Sequence, residues 1–376
     1  MKMKKKYPLL FNAFSNSDIS EGVKVLRSKY LTMSNKTEKF EKFFCKKFNF
    51  KYALMTNSGS SANLLAVSTI INPLRKKSLK KGDEVLIPAV CWSTSLWPIV
   101  QNGLKPVFVD VEMDTFNISI KDLQKKITKK TKAIMCIHIL GTSANMKKLQ
   151  IIAKKNNIIL IEDTCESLGA KYEKKYLGSF GEFSTFSFYY SHQITCGEGG
   201  MIVCQNKEDY EILKTLRSHG WSRNTSFEKI FKKNYDKVDK RFMFVNSGYN
   251  LRPTDIQAAI AQNQLKRLEN FKRIRKNNRA KIIKNLKSNK KWNNQFKFVE
   301  INNEINPSWF GLAILLNYNF RHKKRKFLDY LNSVGIENRP ILSGNFLNQP
   351  SVKIYKLNPK KIVFPNAQKI DDLGFF

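Results

Sequence analysis

The chain has 376 residues, 42% of them hydrophobic and 26% charged, which is too long for one small core and suits two domains sharing a cleft in an ordinary globular protein. No run of about 18 uncharged apolar residues occurs, which excludes a membrane-spanning helix. The net charge of +37 raises the thought of nucleic acid, but lysines recur in twos and threes along the whole chain (Lys46-Lys47, Lys129-Lys130, Lys323-Lys324) with no separate basic arm, so no nucleic-acid role is expected.

The basic start Met1-Lys2-Met3-Lys4-Lys5-Lys6 is followed by an apolar run too short for a signal peptide, and the chain reads as cytoplasmic. A helix is expected over 18–30, opened by Ser17 or Asp18. Over 37–48, Phe40, Phe43, Phe44 and Phe48 recur at helical spacing and predict a buried face. A strand follows at 52–56, then Asn57-Ser58-Gly59-Ser60-Ser61, then a helix over 62–71. Strands are expected at 84–88, 105–109, 133–137 and 158–161, with helical segments such as 146–155 between several of them. Alternating strands and helices predict a mainly parallel α/β sheet. After about residue 205 the pattern changes: helical stretches at 208–217 and 254–287, a strand at 311–316, a helix at 323–333 and an extended run at 336–341. The expected division is an N-terminal arm (1–20), a large α/β domain (21–245) and a small C-terminal α+β domain (246–376).

Several motifs carry chemistry, each with a plainer reading beside it. Ser58-Gly59-Ser60, between strand and helix, suits a phosphate at a helix N-terminus or an ordinary helix cap. Trp92, just past a strand end, either stacks on a flat ligand or packs in the core. Asp163 closes a buried parallel strand, where α/β sheets bind ligands; it could pair with a protonated ring nitrogen or act as a loop acid. In the segment from Phe186 to Gly200, an aromatic strand ends in Ser191-His192 and a glycine-rich turn follows. A lone histidine is usually structural, but His192 beside that turn is a catalytic candidate. The six cysteines at 45, 91, 136, 165, 196 and 204 form no Cys-x-x-Cys pair and read as reduced core thiols.

The order and spacing of these motifs, from Tyr7-Pro8-Leu9 to Leu373-Gly374, resemble the DegT-like sugar aminotransferases, pyridoxal-phosphate enzymes of fold type I. The resemblance implies a fold type I PLP-dependent transferase: a large, mainly parallel sheet domain with a smaller C-terminal α+β domain. It implies that Gly59, Ser60 and Ser187 hold the cofactor phosphate, that Trp92 stacks on the pyridine ring, that Asp163 pairs with the ring nitrogen and that Glu166 also touches the cofactor. Asn250, in Gly248-Tyr249-Asn250-Leu251-Arg252-Pro253, would reach the phosphate of a neighbouring subunit, which implies a homodimer with shared active sites.

One position departs from the aminotransferases, which place their cofactor lysine where this chain has His192. Imidazole cannot form the covalent link, but it can move protons. The change is shared with the pyridoxamine-phosphate-dependent sugar 3-dehydratases. Ser191-His192-Gln193-Ile194, Asp163-Thr164-Cys165-Glu166-Ser167, His219-Gly220-Trp221-Ser222-Arg223-Asn224, Ser308-Trp309-Phe310-Gly311 and Arg339-Pro340-Ile341-Leu342 resemble that branch. It implies His192 as catalytic base, contacts to a nucleotide-sugar substrate from His219, Arg223 and Arg339, glutamate as amino donor, and a 3,6-dideoxysugar product of the lipopolysaccharide O-antigen kind. One type in the branch acts on a CDP-linked sugar and carries an iron–sulfur cluster on late cysteines. The other acts on GDP-4-keto-6-deoxymannose and has none. With no cysteine after Cys204, the expectation here is no metal and no cluster. The chain stops at Phe375-Phe376, where relatives run on for roughly one more strand and helix, and the small domain reads as truncated. Two alternatives remain: an aminotransferase using Lys171 or Lys174, and a non-catalytic PLP-binding regulatory homologue.

Overall fold

The computed structural model describes residues 7–376. In chain order the first half runs α1 (Asn16–Arg27), α2 (Asn35–Phe48), β1 (Tyr52–Thr56), α3 (Gly59–Ile70), β2 (Glu84–Pro88), α4 (Ser93–Gln101), β3 (Lys105–Val109), α5 (Ile120–Lys126), β4 (Thr131–Ile137), α6 (Met146–Asn156) and β5 (Ile159–Asp163). A short hairpin follows, β6 (Lys171–Tyr172) and β7 (Lys175–Tyr176), then β8 (Phe183–Ser187), β9 (Gly200–Cys204), α7 (Lys207–Arg217) and α8 (Ser226–Lys232). The remainder is α9 (Asp255–Lys266), α10 (Leu268–Lys287), β10 (Phe296–Phe298), β11 (Ile305–Asn306), β12 (Ile314–Leu316), α11 (Lys324–Ser333), α12 (Pro350–Ile354), α13 (Pro365–Leu373) and β13 (Gly374–Phe375).

Seven strands form one sheet in the order β1-β9-β8-β5-β4-β2-β3. The β3-β2-β4-β5-β8 run is parallel, and β9 is antiparallel to both β8 and β1. This is the expected mainly parallel α/β sheet. Side chains alternate strictly between its faces, as period-two geometry requires. Val85, Ile87, Met135, Ile137 and Ile161 join the core beneath α3, α4 and α7, with Leu65, Leu96 and Ile212. Leu86, Ile134, Cys136 and Leu160 join the opposite core, with Leu149 and Ile152 of α6. A third cluster packs Phe40, Phe44 and Phe48 against Met55, Phe186 and Met201, the buried face the phenylalanine spacing predicts.

Smaller sheets lie in the later chain: β10-β12-β13, and β11 with the β6–β7 hairpin. The stretch 254–287 is two helices, because the chain leaves helical geometry at Arg267 (φ −99°, ψ 1°). Helix α9, which the expected division assigns to the small domain, packs on α1 and α2 and buries Ala258, Ala261 and Leu265 beside Phe40 and Phe44. Of the expected N-terminal arm, residues 1–6 lie outside the described residues; Tyr7 bridges to Ile336, and Leu9 N–H donates to Glu337 Oε2 at 3.0 Å. The extended run expected at 336–341 forms no strand; it makes the isolated bridge at Ile336, and Arg339 exchanges backbone hydrogen bonds with Phe376. Among the described residues no helix is long and apolar enough to cross a membrane.

Candidate active site

The sheet's parallel strands deliver their ends to one edge, where ligands bind in this architecture. At the end of β5 alternation decides two fates. Glu162 points to the α6 face, where it accepts N–H groups of Gly178, Phe180 and Gly181 and lies 3.2 Å from His138 Nε2. Asp163, one residue on, points to the α3–α4 face. Its Oδ2 accepts from Asn63 Nδ2 at 2.8 Å and Ser95 Oγ at 2.7 Å, and its Oδ1 from Cys165 N–H at 3.1 Å.

Around Asp163 stand two helix N-termini. Ser58 caps α3 through Ser61 N–H, so the cap reading of that turn is correct for Ser58. The next residues face the site. A Cβ built on Gly59 would lie 2.6 Å from Ser187 Cβ and 3.1 Å from Cys165 Sγ. Only a residue without a side chain lets α3 approach the end of β8 this closely. Ser60 Oγ lies 2.8 Å from Thr94 Oγ1, tying α3 to α4. Trp92 occupies the N-cap of α4 and is 53% exposed, with ring surface free for stacking rather than packed in the core. Gly59→Ala is therefore expected to cost about 1–3 kcal/mol by overpacking. Thermal unfolding measures this, and an unchanged midpoint would mean that α3 is not held against Ser187.

Strand β8 ends at Ser187, so the aromatic strand stops short of Ser191-His192, and His192 stands in the loop 188–199. Phe188 N–H still bonds Gly199 O in the β8–β9 register, but Phe188 O accepts Cys196 N–H and Tyr189 N–H turns back to Ser187 Oγ, and there the loop leaves the sheet. The imidazole meets Phe310 edge-on with ring centroids 5.1 Å apart, and Tyr189 at 5.9 Å. Its Nδ1 is buried without a hydrogen-bond partner. Burial, aided by the positive charge of Arg275, pushes its pKa down to about 3, so the ring is neutral near pH 7. Arg275 of α10 donates to Trp309 O at 3.1 Å and reaches His192 O at 3.5 Å. Glu166 accepts Leu140 N–H at 2.8 Å, and burial raises its carboxyl to about 8 despite that bond, with the Asp163 charge adding to the rise.

Gly59, Ser60, Trp92, Asp163, Glu166, Ser187 and His192 thus belong to this strand-end edge. Asn250, His219 and Arg223 form a separate, more exposed group. Asn250 bridges Ser218 and accepts from Arg252 Nε at 3.1 Å; His219 N–H donates to Tyr249 O; the Arg223 guanidinium lies 4.5 Å over Trp221. Leu251 O accepts from Asn57 N–H, which sets this group beside the start of α3. Arg339 is apart from both, with Nη2 3.2 Å from Glu337 Oε1. Sequence reasoning missed Asn63, Ser95, Thr94 and Arg275, and had Phe310 only as part of a motif without a role. An amide inside the apolar helix α3 was a usable signal for Asn63; Arg275 is hidden among the many basic residues of α10.

The residues fit a pyridoxal-type cofactor. The Gly59 cradle beside Ser187 suits a phosphate at a helix N-terminus, Asp163 offers a buried carboxylate, and the His192 ring carries a buried Nδ1 that no protein group satisfies. The sequence matches the DegT/DnrJ/EryC1/StrS aminotransferase family over residues 13–373. The chain belongs to this family. It is accordingly a fold type I enzyme of pyridoxal- or pyridoxamine-phosphate type. It is 37% identical over 373 residues to GDP-4-keto-6-deoxy-D-mannose 3-dehydratase of Escherichia coli O55:H7, covering 98% of this chain and 94% of the relative. A solved structure of the E. coli GDP-4-keto-6-deoxy-D-mannose-3-dehydratase with bound hydrated PLP superposes with TM-score 0.88 at 35% identity, covering 99% of this chain and 95% of that one. Another structure of GDP-4-keto-6-deoxymannose-3-dehydratase, holding a trapped PLP-glutamate geminal diamine, gives TM-score 0.87 at 35% identity with the same coverage.

Proposed function

We propose that this family member is a 3-dehydratase, removing the C3 hydroxyl of a nucleotide-linked 4-keto-6-deoxyhexose, GDP-linked by its likeness to the relatives above, with glutamate as amino donor. The observation that carries it is a half-buried, neutral imidazole whose Nδ1 is buried and unpartnered, standing in a segment that contains no lysine from 176 to 206. An internal aminotransferase lysine has no support from Lys171 or Lys174. Lys171 lies in the β6–β7 hairpin with its ammonium 4.3 Å from the Tyr176 ring centroid, and the hairpin's Tyr172 packs in the core on the sheet face opposite Asp163.

When bound, the pyridoxamine form supplies an amine for the sugar's C4 ketone and an electron-accepting ring. The rest falls to the chain. Gly59, Ser60 and Ser187 hold the phosphate at the N-terminus of α3, and Trp92 covers the ring. Asp163 accepts the ring N–H and keeps the nitrogen protonated. His192, unprotonated on arrival, removes a proton at the cofactor's C4′ carbon. The imidazolium so formed, in a site that disfavours its charge, returns the proton to the departing C3 hydroxyl, which leaves as water. Glu166, protonated near neutral pH, donates a hydrogen bond to the cofactor. His219, Arg223 and Arg339 contact the substrate, and Asn250 completes the phosphate site of a second subunit in a cytoplasmic homodimer.

One incubation tests this. Anaerobically purified protein, pyridoxal phosphate, glutamate and GDP-4-keto-6-deoxymannose are mixed without a reductase, and the sugar nucleotide is followed by mass spectrometry. The expected result is a product one oxygen poorer, made by protein without stoichiometric iron. The cysteines are free thiols, none lies after Cys204, and thiolates on separate elements rarely converge on a cluster by chance. A 4-amino sugar with all hydroxyls retained would instead mark an aminotransferase. No turnover despite bound cofactor would mark a regulatory homologue, and iron with a strict need for a reductase the cluster-bearing type.

A further inference from the structure

Asp163 is a nearly fully buried carboxylate, 4% exposed, and among the described residues no lysine or arginine forms an ion pair with it. Burying such a charge is costly unless donors or a cation compensate it. Here the compensation comes from neutral donors, three with settled hydrogen-bond geometry and, beside them, the Cys165 thiol against the same carboxylate. Two converge on Oδ2, the Asn63 amide at 2.8 Å and the Ser95 hydroxyl at 2.7 Å, and one, Cys165 N–H, reaches Oδ1 at 3.1 Å. A carboxylate offers about four lone-pair sites. Both sites on Oδ2 are taken, and one site on Oδ1 is left. Asn63 is itself fixed, since Thr185 Oγ1 donates to its Oδ1 at 2.6 Å, and Asn63, Ser95 and Thr185 are all at most 2% exposed. The two side-chain amide and hydroxyl donors crowd Oδ2, Oδ1 carries a single backbone N–H, and among the described residues the anion lacks a cation.

We infer that Asn63 and Ser95 are positioning residues for the cofactor's ring nitrogen: by occupying Oδ2 and stabilising the anion they leave Oδ1 as the acceptor for a protonated ring N–H, with Thr185 setting the Asn63 amide. This rests on the pyridoxal-type cofactor reading. Its physical content is specific. Without the two donors the buried carboxylate becomes more basic and turns more freely, so it takes the proton from the ring instead of holding it there.

The test compares two probes on the full-length protein: pyridoxal phosphate, and its deaza analogue with carbon in place of the ring nitrogen. Fluorescence titration gives both affinities for wild type, Asn63→Leu, Ser95→Ala and Thr185→Val. Wild type is expected to prefer pyridoxal phosphate. Asn63→Leu should shrink that preference about ten-fold, with the analogue bound as before, Ser95→Ala should shrink it similarly and Thr185→Val less. The ¹⁵N resonance of ring-labelled pyridoxal phosphate should move from the pyridinium position in wild type toward neutral pyridine in the variants. Equal weakening of both probes, or an unmoved resonance in Asn63→Leu and Ser95→Ala, overturns the inference and leaves only a packing role. Should Asn63→Leu fail to fold, Ser95→Ala decides by the same two readouts. Failure of wild type to bind either probe would defeat the cofactor reading itself, a separable outcome.

Discussion

His192→Asn is expected to lower dehydration by about 10²–10⁴-fold, the usual cost of losing a general acid/base, while pyridoxal phosphate still binds. No other contact to the cofactor is removed, because the site's phosphate cradle and Asp163 lie on α3, α4, β5 and β8 rather than on the loop 188–199. The pH behaviour follows from the direction of the shift. An imidazole normally titrates at 6.5; here burial and then Arg275 push it to about 3. Between pH 5 and 8 the free protein therefore carries His192 unprotonated, and kcat/KM should show no acid limb at 6.5 from this residue. Because the folded pKa is the lower one, the unfolded chain takes up a proton below about 6.5 that the folded chain refuses. His192 thus withdraws stability as pH falls from 6.5 toward 3, and His192→Asn should flatten that part of the stability profile. Full turnover in the variant would remove His192 from the mechanism; an acid limb at 6.5 that the variant abolishes would mean that the imidazole is not held neutral.

Asp163→Asn is expected to weaken cofactor binding by roughly 1.5–3 kcal/mol, the value of a charge-assisted hydrogen bond, and to lower turnover by more than the binding loss alone. An amide cannot keep the ring nitrogen protonated, so the ring accepts electrons poorly. The side chain also inherits a poor setting: Asn63 Nδ2 and Ser95 Oγ both donate to Oδ2, and an amide nitrogen placed there would face two donors. Kinetics at saturating cofactor separate the two effects. If turnover at saturation equals that of the native protein, the catalytic carboxylate lies elsewhere.

Much of this site was legible before any coordinates. Four-residue apolar runs such as 85–88 and 158–161 mark strands as expected, because burial on two faces leaves a continuous hydrophobic signature. Asp163 stands at the end of β5, where the apolar run 158–161 leads into two acids. Expectation failed where the pattern was local but the cause was not. The aromatic run 186–190 looks like strand, yet the strand stops at Ser187, because Phe188 O accepts Cys196 N–H and Tyr189 N–H turns back to Ser187 Oγ. The stretch 254–287 has an unbroken helical composition, and only the packing of α9 on α1 and α2, ahead of the exposed α10, gives the break at Arg267 its place.

By itself the sequence determined the strand–helix alternation, the order of Gly59, Trp92, Asp163, Ser187 and His192 along it, and the absence of a lysine near His192. Those are properties of neighbouring residues, and period-two and period-3.6 patterns encode them directly. Tertiary structure alone decided which partner each of these residues meets. Glu162 and Asp163 are both acids at the end of one strand, and alternation guarantees that they part, but not which helix covers which face. Asn63 reaches Asp163 across 100 residues of chain, and Arg275 reaches the His192 loop across 83. Such contacts are fixed by how the layers stack to bury their apolar faces, and a linear pattern does not carry that information.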